Sequence, residues 1–263
     1  MDAPRATAAS PVRLLWTGGW DSTFRLLQLL LLHRVEVAPI YLQDATRAST
    51  RIELDTIARI GDRLRKQYPH TRALLQPLLI AEAADVADDE DIADALRDVR
   101  KRVYIGNQYA WLSSFCKRNG IHDVELCVHV DDKVQTLLHA FVAETEHPAG
   151  YRTVRVDPKH AGTAEFELFR YFSFPVFRID KLDMARQADA EGWSPLMDMT
   201  WFCHTPSRGR PCGLCGPCVY TIEEGLAHRV PASRRALSFF YRRLALPLKG
   251  PLRQARAALR GER

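Results

Sequence analysis

Val12 to Trp16 is a short apolar run that passes into Gly18-Gly19 and then into a stretch with helical spacing. A buried run that ends in glycines suits a strand of a parallel sheet, and such a strand must return through a helix. The same order recurs down the chain. Val35 to Leu42 reads as a second strand, and Ser49 to Gln67 as a helix through Ile52, Ile57, Ile60 and Leu64. Arg72 to Ile80 is a third strand candidate, and Glu82 to Asp94 a solvated loop and helix start. Asn107 to Asn119 predicts a helix ended by Gly120, Asp123 to Val130 a strand, and Asp132 to Thr145 a helix. Phe174 to Ile179 reads as a last strand, Lys181 to Glu191 as a helix closed by Gly192, and Val219 to Ala227 as a short helix. Alternation of this kind predicts an α/β fold on a doubly wound parallel sheet.

The chain divides by composition. Residues 1–10 read as a disordered start, 11–200 as the α/β domain, 201–228 as a small C-terminal zinc-binding subdomain and 229–263 as a basic tail. The tail carries ten Lys/Arg against one acid, while the remainder has 27 basic and 31 acidic residues. The formal charge of +5 therefore belongs to the tail and not to the body. The most apolar run, Leu26 to Leu32, is broken by Gln28 and too short to span a bilayer. No charged start followed by an apolar segment marks a secretory signal, so a cytoplasmic protein with no membrane partner is expected.

In Thr17-Gly18-Gly19-Trp20-Asp21-Ser22-Thr23 the glycines let successive N–H groups point into one concavity, a nest for an anion. The helix that follows adds free donors and partial positive charge. Ser22 and Thr23 offer hydroxyls, Asp21 or Ser22 could cap a helix running to about His33, and Asp21 could instead hold Mg²⁺. The segment has no P-loop lysine and no G-x-G-x-x-G. A plain strand–turn–helix corner would use the same glycines.

Four of the six cysteines lie between Cys203 and Cys218. Cys203, Cys212, Cys215 and Cys218 form C-x8-C-x2-C-x2-C, with Gly213 and Gly216 at the tight turns. Four thiolates close a tetrahedral Zn²⁺ shell with no open position, so the metal would be structural. An Fe–S cluster or four reduced core cysteines are the other readings, and His204 is a competing donor.

The segment T-G-G-W-D-S-T resembles the S-G-G-x-D-S signature of PP-loop ATP pyrophosphatases, with Thr17 in place of the usual serine. Within that class the chain is similar to 7-cyano-7-deazaguanine synthases over roughly residues 12 to 228. Gly106-Asn107 precedes an apolar helix as in that family's G-R-N element. Phe174-Pro175-Val176 with Asp180-Lys181 looks like its P-l-x-x-l-x-K segment. Pro195, Thr200-Trp201-Phe202-Cys203 and Cys212-Gly213-Leu214-Cys215-Gly216-Pro217-Cys218 follow in the family's order. The chain departs after Asp131-Asp132, where Lys133-Val134-Gln135-Thr136 replaces an S-G-Y-P-D-C-R-P-type loop.

The resemblance implies an adenine nucleotide alpha hydrolase-like fold, ATP and Mg²⁺ beside Zn²⁺, and cleavage between the α- and β-phosphates. It implies adenylation of a 7-carboxy-7-deazaguanine carboxylate, then reaction with ammonia to amide and nitrile, with AMP and pyrophosphate released. A homodimer would go with it. Asp21, Ser22 and Lys181 become catalytic candidates, and residues 17–23 with Asp44 and Asn107 nucleotide contacts. Asp131 and Asp132 face the substrate, and the four cysteines hold zinc.

Blander roles stay open for several of these. Lys181 could be an exposed helix-start lysine, Asn107 a cap and Asp44 a solvated loop residue at a strand end. Cys116 and Cys127 read as core thiols and His129 as a core histidine. Phe239-Phe240-Tyr241-Arg242-Arg243 mixes aromatics with cations and could meet RNA, a protein or a membrane surface, or simply pack as a helix. Two rival functions follow: acyl transfer to an amine on a protein or tRNA, and a non-catalytic zinc-knuckle protein that binds nucleic acid through the tail.

Overall fold

The computed structural model describes residues 10–86 and 89–245. The expected disorder over residues 1–9 and the part of the basic tail from 246 to 263 lie outside the described residues. The chain forms two compact units. Among the described residues the first comprises 10–46 and 50–201, and the second 47–49 and 202–245.

The first unit is mixed α/β around a five-stranded parallel sheet. Its strands are β1 (Val12–Leu15), β2 (Val37–Gln43), β3 (Leu79–Glu82), β4 (Val124–Glu125) and a last strand, Phe172–Ser173. Between β4 and that strand come β5 (Val142–His147) and β6 (Tyr151–Val156), which pair antiparallel as a separate hairpin, so Phe172–Ser173 is β7. The order across the sheet is β3-β2-β1-β4-β7. The chain thus moves outward from β1 in one direction, then returns to place β4 on β1's other side. Val12 pairs with Val37 and Leu14 with Glu125, which fixes β1 at the centre of that reversal.

The helices of this unit are α1 (Trp20–Leu27), α2 (Thr50–Gln67), α3 (Thr71–Leu74), α4 (Glu90–Arg100), α5 (Gln108–Arg118), α6 (Lys133–Leu138), α7 (Ala164–Phe169), α8 (Lys181–Ala190) and α9 (Ser194–Met197). Leu15, Ile40 and Leu42 of the sheet pack with Leu96 and Val99 of α4, Phe115 of α5, and Phe169, Phe172 and Phe174. Consecutive buried residues Ile40, Tyr41 and Leu42 are what a central parallel strand requires, because alternate side chains both meet protein.

Three expected elements differ. Arg72 to Ile80 does not run as one strand: α3 takes its start, Leu75 makes only a bridge to Val37, and Pro77, which has no N–H, separates these from β3. Asp132 to Thr145 is not one helix. α6 ends at Leu138, and Val142 onward joins β6 around Gly150 at φ 81°, so long-range pairing outweighs the helical spacing of the leucines. The last strand lies upstream of Phe174 to Ile179, since Pro175 cannot donate to a ladder.

The second unit contains α10 (Gly216–Glu223) and α11 (Ala232–Phe240), the latter extended by a π-helical turn, Tyr241–Ala245. No helix among the described residues is long and apolar enough to cross a membrane.

Candidate functional site

The turn between β1 and α1 is built on glycine for two physical reasons. Gly18 has φ 69°, where a side chain is strained, and a Cβ there would stand 3.2 Å from both Ile57 and Thr56 of α2. Gly19 supplies the extended N-cap, φ −76° and ψ 171°, and its side is lined by Thr17 Oγ1, the Trp201 carbonyl and Ser22 Oγ. The Trp201 amide donates to the Gly18 carbonyl at 2.9 Å, so the segment ahead of the first cysteine fastens the turn. Asp21 and Ser22 are not the cap; they occupy the first helical turn behind Gly19. Gly19 has no side chain with which to cap the first amides of α1, and an uncapped helix start of this kind suits an anion.

The predicted loop residues then separate. Ser22 is buried, and its Oγ accepts from the Thr17 amide at 3.4 Å. The Thr23 hydroxyl is turned into the core, accepting from Trp16 Nε1 at 3.0 Å. Trp20 is buried at the helix start. Asp21 is the side chain around which other polar groups gather. Its Oδ2 lies 3.9 Å from His129 Nε2 and 3.9 Å from Lys181 Nζ. Its Oδ1 is buried with no hydrogen-bond partner.

Lys181 is not an exposed helix-start lysine. It opens α8 behind the Asp180–Asp183 capping box, and its side chain is only 14% exposed. Asp132 caps α6 by accepting from the Val134 amide at 2.8 Å. Burial raises its carboxyl above the usual range; the Val134 bond and nearby His129 pull the other way, and Asp21 pushes up again. Asp131 is exposed, and its amide donates to His129 Nδ1 at 3.3 Å. With Nδ1 accepting, the neutral His129 ring carries its proton on Nε2, the nitrogen that faces Asp21.

Asp44 and Asn107 are the two remaining nucleotide-contact candidates. Asp44 follows β2, and its Oδ1 accepts from the Thr46 amide at 3.0 Å and hydroxyl at 2.6 Å, an Asx turn. Asn107 occupies the cap position of α5 but is exposed and makes no side-chain cap bond.

His129 is the residue whose predicted role changes most. It is buried, as a core histidine would be, yet it faces Asp21. Missed altogether was the group beneath it. Arg25 of α1 grips Glu125 of β4 through Nε–Oε2 and Nη2–Oε1, both 2.8 Å, and Tyr151 Oη of β6 donates to Glu125 Oε1 at 2.7 Å. The sequence signal was an arginine among the apolar residues that end α1 and a glutamate inside an apolar strand, each needing a buried partner.

In the second unit the four predicted sulfurs converge. The Sγ atoms of Cys203, Cys212, Cys215 and Cys218 all lie within 4.8 Å of one another. Cys212 and Cys218 are 3.8 Å apart, as are Cys215 and Cys203. Four sulfurs about 2.3 Å from a central Zn²⁺ form a tetrahedron with edges of about 3.8 Å, so the cluster could hold a metal such as zinc. The amides of Leu214 and Cys215 each donate to Cys212 Sγ at 3.3 Å, and Thr205 Oγ1 stands 3.3 Å from it. Burial alone would raise the Cys212 thiol, but these contacts outweigh it and lower it toward the thiolate. His204, adjacent to Cys203, is instead 3.1 Å from Arg47 through Nε2.

No protein-family model and no curated protein matches the chain.

Proposed function

We propose that this chain is an ATP-dependent enzyme of the PP-loop pyrophosphatase type, resembling 7-cyano-7-deazaguanine synthases. In this reading the sheet is doubly wound, and the glycine turn grips the phosphates. The carrying observation is the turn's position with its charges. It opens α1 where the strand order reverses between β1 and β4, the crevice in which open α/β sheets bind ligands. It presents a helix start without a side-chain cap, beside Asp21, Lys181 and His129.

The reaction is adenylation of a carboxylate on a 7-deazapurine, followed by ammonia, with AMP and pyrophosphate released. The Gly19–Ser22 amides would hold phosphate oxygens, and Lys181 would neutralise charge that develops as pyrophosphate leaves. Asp132, half-buried and close enough to Asp21 and Lys181 to feel their charge, would face the substrate. The unpartnered Asp21 Oδ1 fits a cation ligand, and Mg²⁺ there would offset the phosphate charge. Zn²⁺ in the cysteine tetrad would be structural, since its four sulfurs leave no open position.

Incubation with ATP, Mg²⁺, 7-carboxy-7-deazaguanine and ammonia, followed by mass analysis, should yield pyrophosphate and the nitrile. Pyrophosphate without nitrile would favour the second reading, acyl transfer to an amine on a protein or RNA. That reading draws on the end of α11 and the turn after it, where exposed Phe239 and Phe240 stand with Arg243. Salt-sensitive RNA binding that persists in an inactive Asp21→Asn protein, with no ATP turnover in the parent, would leave only the non-catalytic reading.

A further inference from the structure

Arg25 and Glu125 are both essentially out of solvent, with side chains 3% and 0% exposed. Burying such a pair is costly, and apolar residues of similar size would often serve stability as well. Its use must therefore be sought in what it fixes. Arg25 lies on α1 four residues after Asp21, so the two share a helix face. Glu125 lies four residues before His129 on the segment that faces them. Arg25 meets Glu125 where Asp21 meets His129, so the same two segments are joined at two points, tightly at one and loosely at the other.

The tight end is over-determined. The guanidinium makes a two-point fork, which tolerates neither rotation nor sliding. Its carbon also sits 4.3 Å from the centre of the Tyr151 ring. Tyr151 donates to Glu125, and His147 stacks on its ring at 4.5 Å and 4°. Gln28 accepts from Arg25 Nη1 at 3.2 Å. Cys127, between Glu125 and His129 in sequence, feels Glu125, Asp21 and Arg25 together, and burial raises its thiol well above the ordinary value. The loose end has a carboxylate 3.9 Å from each of two nitrogens, a spacing that leaves Asp21 able to turn to a ligand.

We propose that Arg25, Glu125 and Tyr151 form a positioning clamp that sets the first turn of α1, and so Asp21, against His129 and Lys181. None of the three touches the reacting groups; they act through Asp21. The catalytic part of this inference rests on the glycine turn being the nucleotide site, whereas the mechanical part does not.

Tyr151→Phe removes one bond and keeps the ring, and Glu125→Gln removes the charge. Native-state hydrogen exchange should speed up about tenfold in residues 19–24 and leave the middle of α2 unchanged. Pyrophosphate release at saturating ATP should fall about tenfold, with the KM for ATP changing less than twofold. Equal acceleration of exchange in both helices, or none in residues 19–24, would show a merely structural pair and overturn the clamp. If Glu125→Gln does not fold, Tyr151→Phe decides alone. A wild-type protein that releases no pyrophosphate would remove the catalytic reading, and the exchange comparison would still decide the clamp.

Discussion

The polar side chains around the glycine turn come from positions 21, 129, 132 and 181, whereas the cysteine tetrad draws all its sulfurs from positions 203 to 218. The first group exists only because β1, β4 and α8 are set by a sheet with a particular order. The second is made by two tight turns and their own amides. A site assembled from distant elements inherits the precision of the core, and a site assembled locally inherits the strength of its bonds. The two should fail differently.

The largest effect expected is on the local site. Cys215→Ser should take bound zinc from one equivalent to less than half. A structural Zn²⁺ contributes on the order of 10 kcal/mol to its own fold, so proteolysis should then open residues 202–245. Metal quantification and limited proteolysis check this. Retention of a full equivalent of zinc would break the contrast at its strongest point.

Asp21→Asn tests the assembled site. It should reduce ATP turnover by about a hundredfold or more while leaving the melting temperature within a few degrees. A loss of fold in place of activity would make Asp21 structural and dissolve the distinction. Gly18→Ala comes next. It places a side chain at φ 69° against Ile57 and Thr56 and should cost about 1–2 kcal/mol in urea unfolding.

The smallest effect is at Asp132. Its carboxyl is raised in the folded state, so ionisation there weakens the fold. The penalty is absent below the unfolded pKa of about 3.9 and grows as pH rises through the folded one. Asp132→Asn keeps the cap oxygen, so it should melt slightly higher than the parent at pH 7 and equally at pH 3. A difference of the same size at both pH values would show that the charge is not the cause.

The four cysteines, Gly18-Gly19 and the apolar sheet strands were legible because their evidence is local: spacing, backbone freedom and runs of buried residues. His129 and the Arg25–Glu125 pair were not. A histidine in an apolar run looks the same whether it faces packed side chains or Asp21. The choice is made by the register of β4 against β1, fixed by as little as Leu14 opposite Glu125. The β5–β6 hairpin was hidden for a related reason: leucines of α6 run on at helical spacing toward Val142, and only pairing with Tyr151–Val156 separates them. Asp44 was placed correctly at a strand end, yet its carboxylate is occupied by its own turn.

Gly213 has a consequence for anyone rebuilding the second unit. A Cβ there would fall 2.6 Å from the Arg234 carbonyl of α11, and φ is 78°. The first of the two residues between the second and third sulfurs is thus dictated by a helix rather than by an ion. A redesign that exchanged all four cysteines for aliphatic side chains could dispense with metal, but not with that glycine. A protein library that varied the whole turn should return glycine at position 213 even among members that bind nothing.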